Sequence, residues 1–180
     1  MEIFGVKYLT AKNEADQLCA SLVYNNKAWG CMSEDMDMLV YGCPFILRYT
    51  SFINNTVVVY DFNKILNTLK ITMDEFKELC IMCGTDYNSG FGTIFCIYKV
   101  FGMYKRNNNK QISFYDWAKS EVYNDMKNID IIKIKQLFYI SDNINSKIVL
   151  EYSNMQLNYI NREKLKNFLS NFNFIFLKNA

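Results

Sequence analysis

The first hundred residues alternate short apolar runs with amphipathic stretches. FGVKYLTA, FILRYT and TVVVYD have the length and the β-branched or aromatic content of strands, and SFINN between the last two predicts a turn. EADQLCASLVYNN and MDEFKELCIMCG repeat their apolar residues at helical spacing, with Asn13 and Thr72 at the expected N-caps. This alternation predicts an α/β fold with a mostly parallel sheet.

The pattern changes beyond Gly84. GFGTIFCIYKVFGMYK predicts a glycine turn that opens an apolar helix, and the polar residues 105–110 predict a loop. Helices follow around 113–127 and 130–139, and NREKLKNFLSNF predicts a final helix. We therefore expect an α/β region at 1–87 and a helical region at 88–180. Six aromatic residues of the second region are assigned to the core in preference to a base-stacking role: Phe114, Tyr115, Trp117, Tyr139, Tyr152 and Tyr159.

The chain has no histidine among its 180 residues. This excludes Ser-His-Asp hydrolases, Cys-His proteases and histidine-based zinc catalysis. Chemistry must therefore rest on carboxylates, cysteines, lysines or a bound metal. No apolar run reaches the roughly 18–20 residues that a membrane helix needs. We expect an intracellular, soluble protein, for which a nucleus or a viral replication compartment would be compatible.

Six cysteines are scattered through apolar surroundings, and only Cys80 and Cys83 have CxxC spacing. A zinc site would need a second such pair or histidines. Because these two cysteines fall on the apolar side of a predicted helix, buried free thiols are favoured over a redox or metal role.

Charge is unevenly distributed along the chain. Residues 1–100 carry 8 Lys or Arg and 11 Asp or Glu, whereas residues 101–180 carry 12 and 7. An acidic first part followed by a basic second part suits a metal site beside an anionic polymer.

Five carboxylates follow predicted strands or flank predicted helices. Ligands of open α/β sheets bind beyond the carboxyl ends of the strands, so these acids are expected at one edge. Oxygen ligands suit Mg²⁺ or Mn²⁺. Acidic residues at helix N-termini also complement the helix dipole, and their positions alone leave that alternative open. The five are Glu14, Asp16, Asp35, Asp37 and Asp86.

Three local motifs narrow these alternatives. NEADQLCA at 13–20, SEDMDMLVYG at 33–42 and LCIMCGTDY at 79–87 resemble, in order and spacing, the internal-region signature of the XPG/flap-endonuclease family. The segment GVKYL at 5–9 resembles the family's G-I-P-Y-L, and the resemblance is clear from about residue 3 to 102. It implies a PIN-like domain followed by a helix-two-turn-helix-like helical part.

The resemblance also implies roles for the five acids. Glu14 and Asp16 match the family's first pair of metal ligands, Asp35 and Asp37 the second pair, and Asp86 the lone aspartate of the last motif. Glu34 would be a neighbour and not a ligand. The family holds two divalent ions, Mg²⁺ or Mn²⁺, and hydrolyses branched or nicked DNA, and two ions stabilise the attacking and leaving oxygens together.

The sequence departs from the family pattern in two places. The N-terminal region, which supplies a leading strand and two further aspartates, is missing, so either an upstream segment or a separate polypeptide is expected to supply it, or the protein has repacked. The family's cation-binding turn lies about seven residues after the last aspartate, whereas here it follows Asp86 by only four; at this turn the backbone of Gly90, Gly92 and Thr93 could bind K⁺ or a DNA phosphate. A plain glycine turn is an equal alternative.

Basic residues follow this turn at Lys105, Arg106 and Lys110, and they could contact a DNA backbone or only form a solvated loop. The expected function is a metal-dependent, structure-specific 5′ nuclease, incomplete as a single chain. The alternative is a catalytically inactive nucleic-acid-binding or scaffold protein with the same fold.

Overall fold

The computed structural model describes residues 2–11, 14–107, 112–123, 130–140, 150–154 and 159–174. The described chain begins with a 3-10 helix at Glu2–Phe4. The strands are β1 (Cys31–Met32), β2 (Phe45–Ser51) and β3 (Thr56–Asp61). The helices are α1 (Ala15–Tyr24), α2 (Asp37–Val40), α3 (Phe62–Leu69), α4 (Met73–Cys83), α5 (Ile94–Asn107), α6 (Phe114–Glu121), α7 (Ile131–Leu137) and α8 (Arg162–Ser170).

The three strands form one mixed sheet in the order β1-β2-β3. β1 runs parallel to β2, and β2 pairs antiparallel with β3, with Ile46 opposite Tyr60. The register shifts between Arg48 and Ser51, where Tyr49 has a positive φ of 53°. The two strands and the turn predicted from FILRYT, SFINN and TVVVYD are confirmed, and the strands pair as a hairpin. Its antiparallel pairing makes the described sheet mixed, because a short turn joins antiparallel neighbours directly.

Local side-chain caps fix the starts of the central helices. The Thr72 hydroxyl accepts from Glu75 N at 3.2 Å, and the Glu75 carboxylate accepts from Thr72 N at 2.8 Å. This capping box satisfies two backbone donors at the start of α4 and confirms the predicted cap. Asp61 caps α3 in the same way, accepting from Lys64 N at 3.0 Å. Asn13 lies outside the described residues, and Glu14 stands at the N-cap of α1.

α4 lies at the centre of the hydrophobic core. Ile81 and Met82 have no exposed surface, and α4 packs against α2 on one side and against α5, α6 and α7 on the others. One continuous core runs from Ala20 to Phe138 and joins the two regions predicted at 1–87 and 88–180. The boundary between them stays a prediction about family regions. No helix in the described ranges is long and apolar enough to cross a membrane.

Three local predictions are wrong. FGVKYLTA forms no strand, because no strand lies beside it among the described residues to accept its backbone hydrogen bonds. The first three residues of the loop predicted at 105–110 are helical, because α5 continues through Asn107, with Lys105 bound to Glu75, and residues 108–110 lie outside the described residues. Phe114, Tyr115 and Trp117 are buried as predicted, whereas Tyr139 and Tyr159 are 59% and 96% exposed.

Candidate metal centre

Two acids lie at the start of α1. Glu14 occupies the N-cap without a side-chain hydrogen bond to the helix, and Asp16 lies in the first turn. The unused capping position leaves the Glu14 carboxylate exposed, while Asp16 is half-buried. Both side chains therefore remain available to a ligand at this end of the helix.

Two further acids lie in the turn from β1 into α2. The Asp35 carboxylate accepts from Asp37 N at 2.9 Å, and Asp35 N donates to the Ser33 hydroxyl at 3.0 Å. Asp37 is the first residue of α2, where an acid also complements the helix dipole. The paired turn bonds fix both acids relative to the strand end.

Asp86 lies in a compact turn that follows α4. Thr85 and Asn88 form an isolated bridge, and the Thr85 hydroxyl donates to the Asn88 side-chain oxygen at 2.7 Å. The Asn88 amide donates to the Ile81 carbonyl at 2.7 Å and ties the turn to α4. Asp86 itself is exposed at the tip of this braced turn.

The five acids form one electrostatic cluster. Burial raises the pKa of Asp16, and the charges of Asp35 and then Glu14 raise it further. Burial also raises the pKa of Asp37, followed by the charges of Asp35, Asp86 and Asp16. Because these acids come from three separate segments, their mutual repulsion shows that the fold brings the segments together.

Within the described ranges, no three acids or cysteines are arranged closely enough to hold one metal ion, and in this sense the acidic cluster is open. The donor set nevertheless fits a hard divalent ion, because it consists only of carboxylate oxygens. A cation would also offset the repulsion that raises the pKa of Asp37. The role of the five acids as metal ligands stays a prediction.

The predicted cation-binding turn is sterically tight at Gly90. Its φ is +69°, and a Cβ would lie 2.5 Å from the carbonyl carbon of Cys83. Phe91 N donates to the Met82 carbonyl at 2.7 Å, so the turn folds back on α4. The Thr93 hydroxyl accepts weakly from Cys96 N at 3.4 Å at the start of α5, and Gly92 is exposed. K⁺ or phosphate binding at this turn stays a prediction.

The basic residues have unequal surroundings. Lys105 contacts both Glu75 carboxylate oxygens, at 2.8 and 2.9 Å. Arg106 is exposed in the last turn of α5. Lys110 lies outside the described residues. Since Lys105 already has an anionic partner, Arg106 is the better placed of the two to meet a phosphate.

One protein-family model matches the first half of the chain. Residues 5–86 match the family model of the XPG I-region, and all five acids fall within the match. These residues are therefore similar to the XPG internal region. The match covers the elements from α1 to the Asp86 turn.

Relatives of known name match about half of the chain. Flap endonuclease 1 of Zea mays is 41% identical over 90 residues, which cover 48% of this chain and 24% of the maize protein. A probable RAD2-like endonuclease of Invertebrate iridescent virus 3 is 39% identical over 106 residues, covering 49% of this chain and 28% of the viral protein. The chain thus spans about a quarter of the length of the curated relatives it matches.

Solved structures extend the similarity beyond the XPG internal region. Flap endonuclease-1 from Methanococcus jannaschii matches 94% of this chain and 56% of its own, with a TM-score of 0.61. The catalytic core of Rad2 matches 94% and 64%, with a TM-score of 0.69. At 22% identity these matches establish the fold. They confirm the predicted PIN-like α/β architecture with a helical C-terminal part.

Glu34 of the XPG internal region faces away from the cluster, toward β2. Its carboxylate accepts from Arg48 Nε at 3.2 Å and from Tyr49 N at 2.8 Å. The side chain therefore braces the irregular stretch of β2, as the prediction that it is a neighbour and not a ligand requires.

Sequence reasoning missed a thiol pair beneath the XPG acids. A hydrogen bond with Cys31 lowers the pKa of Cys19 to about 7, while the same bond and burial raise that of Cys31. Cys19 lies one helical turn after Asp16, and this spacing was the only signal in the sequence. The two cysteines of the CxxC pair are free, as predicted, but half-buried and not fully buried; burial raises the pKa of Cys80 to about 12 and also raises that of Cys83, which disfavours the thiolate form.

Proposed function

We propose that this chain carries the metal-binding part of a structure-specific 5′ nuclease that hydrolyses DNA phosphodiesters with two divalent ions. The observation that supports this most is the surroundings of Asp37, whose carboxyl group is repelled by Asp35, Asp86 and Asp16. These four acids come from all three motifs of the XPG internal region. A cluster of acids on helix and strand ends is costly unless a cation balances it.

The ligand assignment follows the two ends of the cluster. Glu14 and Asp16 would bind the first ion, and Asp35, Asp37 and Asp86 the second. When bound, Mg²⁺ or Mn²⁺ supplies Lewis acidity toward the phosphodiester and its attacking and leaving oxygens. The chain's own contribution is orientation: the Asp35–Asp37 turn and the braced Asp86 turn present three carboxylates from hydrogen-bonded turns, and these carboxylates would draw closer together around an ion.

DNA is the proposed partner. Solved structures similar to this chain include the catalytic core of Rad2 in complex with DNA substrate. The N-terminus of α5, with Gly90, Gly92 and Thr93, would meet a phosphate or K⁺, and Arg106 with Lys105 and Lys110 would add sequence-independent attraction. Branched or nicked DNA is the proposed substrate, from the resemblance to flap endonucleases.

A further polypeptide segment would complete the site. β1 is an edge strand in the described sheet, and it is only two residues long. An additional strand beside β1 would bring its own side chains to the strand ends that carry Asp35 and Asp37. We propose that such a segment, supplied by another chain, adds two aspartates to the cluster.

A non-catalytic nucleic-acid-binding or scaffold role is the second candidate. It is favoured by the open cluster and by exposed Ile94 and Phe95 at the start of α5, where the resemblance predicts basic residues. The two candidates differ in their response to divalent ions, which only the nuclease requires.

Thermal unfolding with and without Mg²⁺ or Mn²⁺ tests the metal site. The ions should raise the Tm, because only the folded state presents the cluster. At an ion concentration of 100 times Kd, the folded state should gain about 2.7 kcal/mol of stability. The double variant Asp35→Asn with Asp37→Asn should lose most of this response. Glu121→Gln, which removes one exposed acid at the end of α6, is the matched control. An unchanged response in the double variant would place the ions elsewhere.

Cleavage of a 5′ flap tests the activity. The chain alone should cleave slowly, since displacement of a reacting group by about 1 Å can cost on the order of 100-fold in rate. Adding the N-terminal segment of a flap endonuclease should restore Mg²⁺-dependent cleavage, and Asp86→Ala should remove it. Fast cleavage by the chain alone would refute the need for a further segment. Failure of the segment to restore cleavage, once its binding is demonstrated, would support the scaffold.

A further inference from the structure

A cleft lies between α2, α4 and α5, beside the acidic cluster. It has a volume of about 330 Å³, and Asp37 lines it on the α2 side while Ile94 and Tyr98 line it on the α5 side. Asp37 is the one charged residue among the described residues that line it. The other lining residues are mainly apolar, and include Leu39, Leu69, Ile71, Phe76, Leu79 and Phe101.

One face of α5 forms the outer wall. Ile94, Tyr98 and Phe101 follow one another at helical spacing, so they lie on the same side of the helix. Phe101 is buried, whereas Tyr98 and Ile94 are 57% and 65% exposed. The apolar surface therefore continues from the core to solvent, and an exposed apolar continuation of this kind marks a binding site.

The charge of α5 indicates the occupant. The helix contains Lys99, Lys105 and Arg106 and no acidic residue. Lys99 Nζ lies 4.3 Å from the centroid of the Phe95 ring, at the exposed start of the helix. Exposed aromatic rings beside positive charges are the combination that binds single-stranded nucleic acid, through base stacking and attraction to the backbone.

We infer that this cleft binds an unpaired nucleobase of the strand whose phosphate lies on the Asp37 side. The inference rests on the proposed function, which places a phosphodiester beside the acids. A phosphate cannot itself enter the cleft, since Asp37 repels it and the walls offer few donors. A base is neutral and flat, and a cleft of about 300 Å³ or more is in the range that holds small organic ligands. Tyr98 at the mouth stacks on the base, and α5 attracts the backbone outside.

Fluorescence of 2-aminopurine tests the inference. The probe is placed at the unpaired 5′ end of a short overhang, and the full chain is titrated once in EDTA and once with Mg²⁺. Stacking should quench the emission and saturate. Tyr98→Ala should weaken this binding about tenfold, and Tyr98→Phe should preserve it, because the ring and not the hydroxyl makes the contact. The matched control is Tyr139→Ala, an equally exposed tyrosine that lines a different cavity.

The outcomes separate this inference from the proposed function. Absent quenching, or equal quenching by wild type and Tyr98→Ala, overturns the base-binding cleft whatever the metal response. Quenching that depends on Tyr98 supports it, even if Mg²⁺ neither stabilises the chain nor permits cleavage. A sedimentation change in Tyr98→Ala with unchanged emission would instead assign the face to a second copy of the chain, and would also overturn the inference. Circular dichroism of each variant verifies folding.

Discussion

The ion pair between Glu78 and Lys135 connects α4 to α7 inside the protein. The Glu78 side chain is 5% exposed and that of Lys135 is 28% exposed. One Glu78 carboxylate oxygen accepts from Lys135 Nζ at 2.5 Å, and the other accepts from Tyr115 N, at the start of α6, at 3.0 Å. A single carboxylate thus holds together the α/β region and two helices of the C-terminal region.

The unequal exposure of the two side chains predicts unequal losses. Lys135→Met leaves a buried carboxylate with one hydrogen bond, and breaking a buried pair in this way costs about 3–5 kcal/mol. Glu78→Gln retains an acceptor for Tyr115 N, and the exposed part of Lys135 can reach water. The loss should then be about 1–3 kcal/mol, the range for a hydrogen bond to a charged group. The lysine substitution should therefore be worse by roughly 2 kcal/mol.

Urea unfolding followed by circular dichroism measures both losses. Lys133→Met is the matched control, because it makes the same change at an exposed position of α7. It should alter stability by no more than about 0.5 kcal/mol. The double variant should lose less than the sum of the single losses, since the two groups interact directly. A greater loss for Glu78→Gln than for Lys135→Met, or equal losses for Lys135→Met and Lys133→Met, would refute the reasoning.

Three further predictions concern the turn, the cap and the acids. Gly90→Ala should cost about 2–5 kcal/mol in urea unfolding, from its positive φ and the clash with Cys83, whereas Gly102→Ala, whose Cβ meets nothing within 4 Å, should be neutral or stabilising. Thr72→Ala should lose about 1 kcal/mol by removing the cap of α4, which the same measurement checks. Burial and neighbouring charges raise the pKa of Asp37 above its usual 3.8, so its ionisation destabilises the folded chain as the pH rises. The Tm advantage of Asp37→Asn in EDTA should therefore grow from about pH 4 to about pH 7, and a constant difference would refute the repulsion.

Features that depend on neighbouring residues were predictable from the sequence. The β2–β3 hairpin and the Thr72 cap each rest on a few adjacent positions. FGVKYLTA failed as a strand because strand formation also needs a partner, which a local apolar pattern cannot supply. The prediction of a loop at Lys105 was wrong because its ion-pair partner, Glu75, lies thirty positions away in the sequence.

The candidate site was likewise predicted only in part. The acids were predicted from their motifs, and Asp37 senses the charges of Asp16, Asp35 and Asp86 in the folded chain. The Cys19–Cys31 pair was missed, because a helix and a strand must pack before the two thiols meet. The extent to which the acids enclose an ion is likewise set by packing, not by spacing.

The acidic cluster links metal binding to protonation. A proton on Asp37 relieves the repulsion from its neighbours, and a divalent cation among the carboxylates relieves the same repulsion. In the proposed metal site, protons and cations would therefore compete for one group, and ions should stabilise the folded chain most at a pH where Asp37 has lost its proton. Removing the charge at this position should weaken ion binding and strengthen the ion-free fold at once. A nuclease accepts that unfavourable repulsion because the ion is required for its chemistry, whereas a scaffold would gain stability by losing the acid without any loss of function.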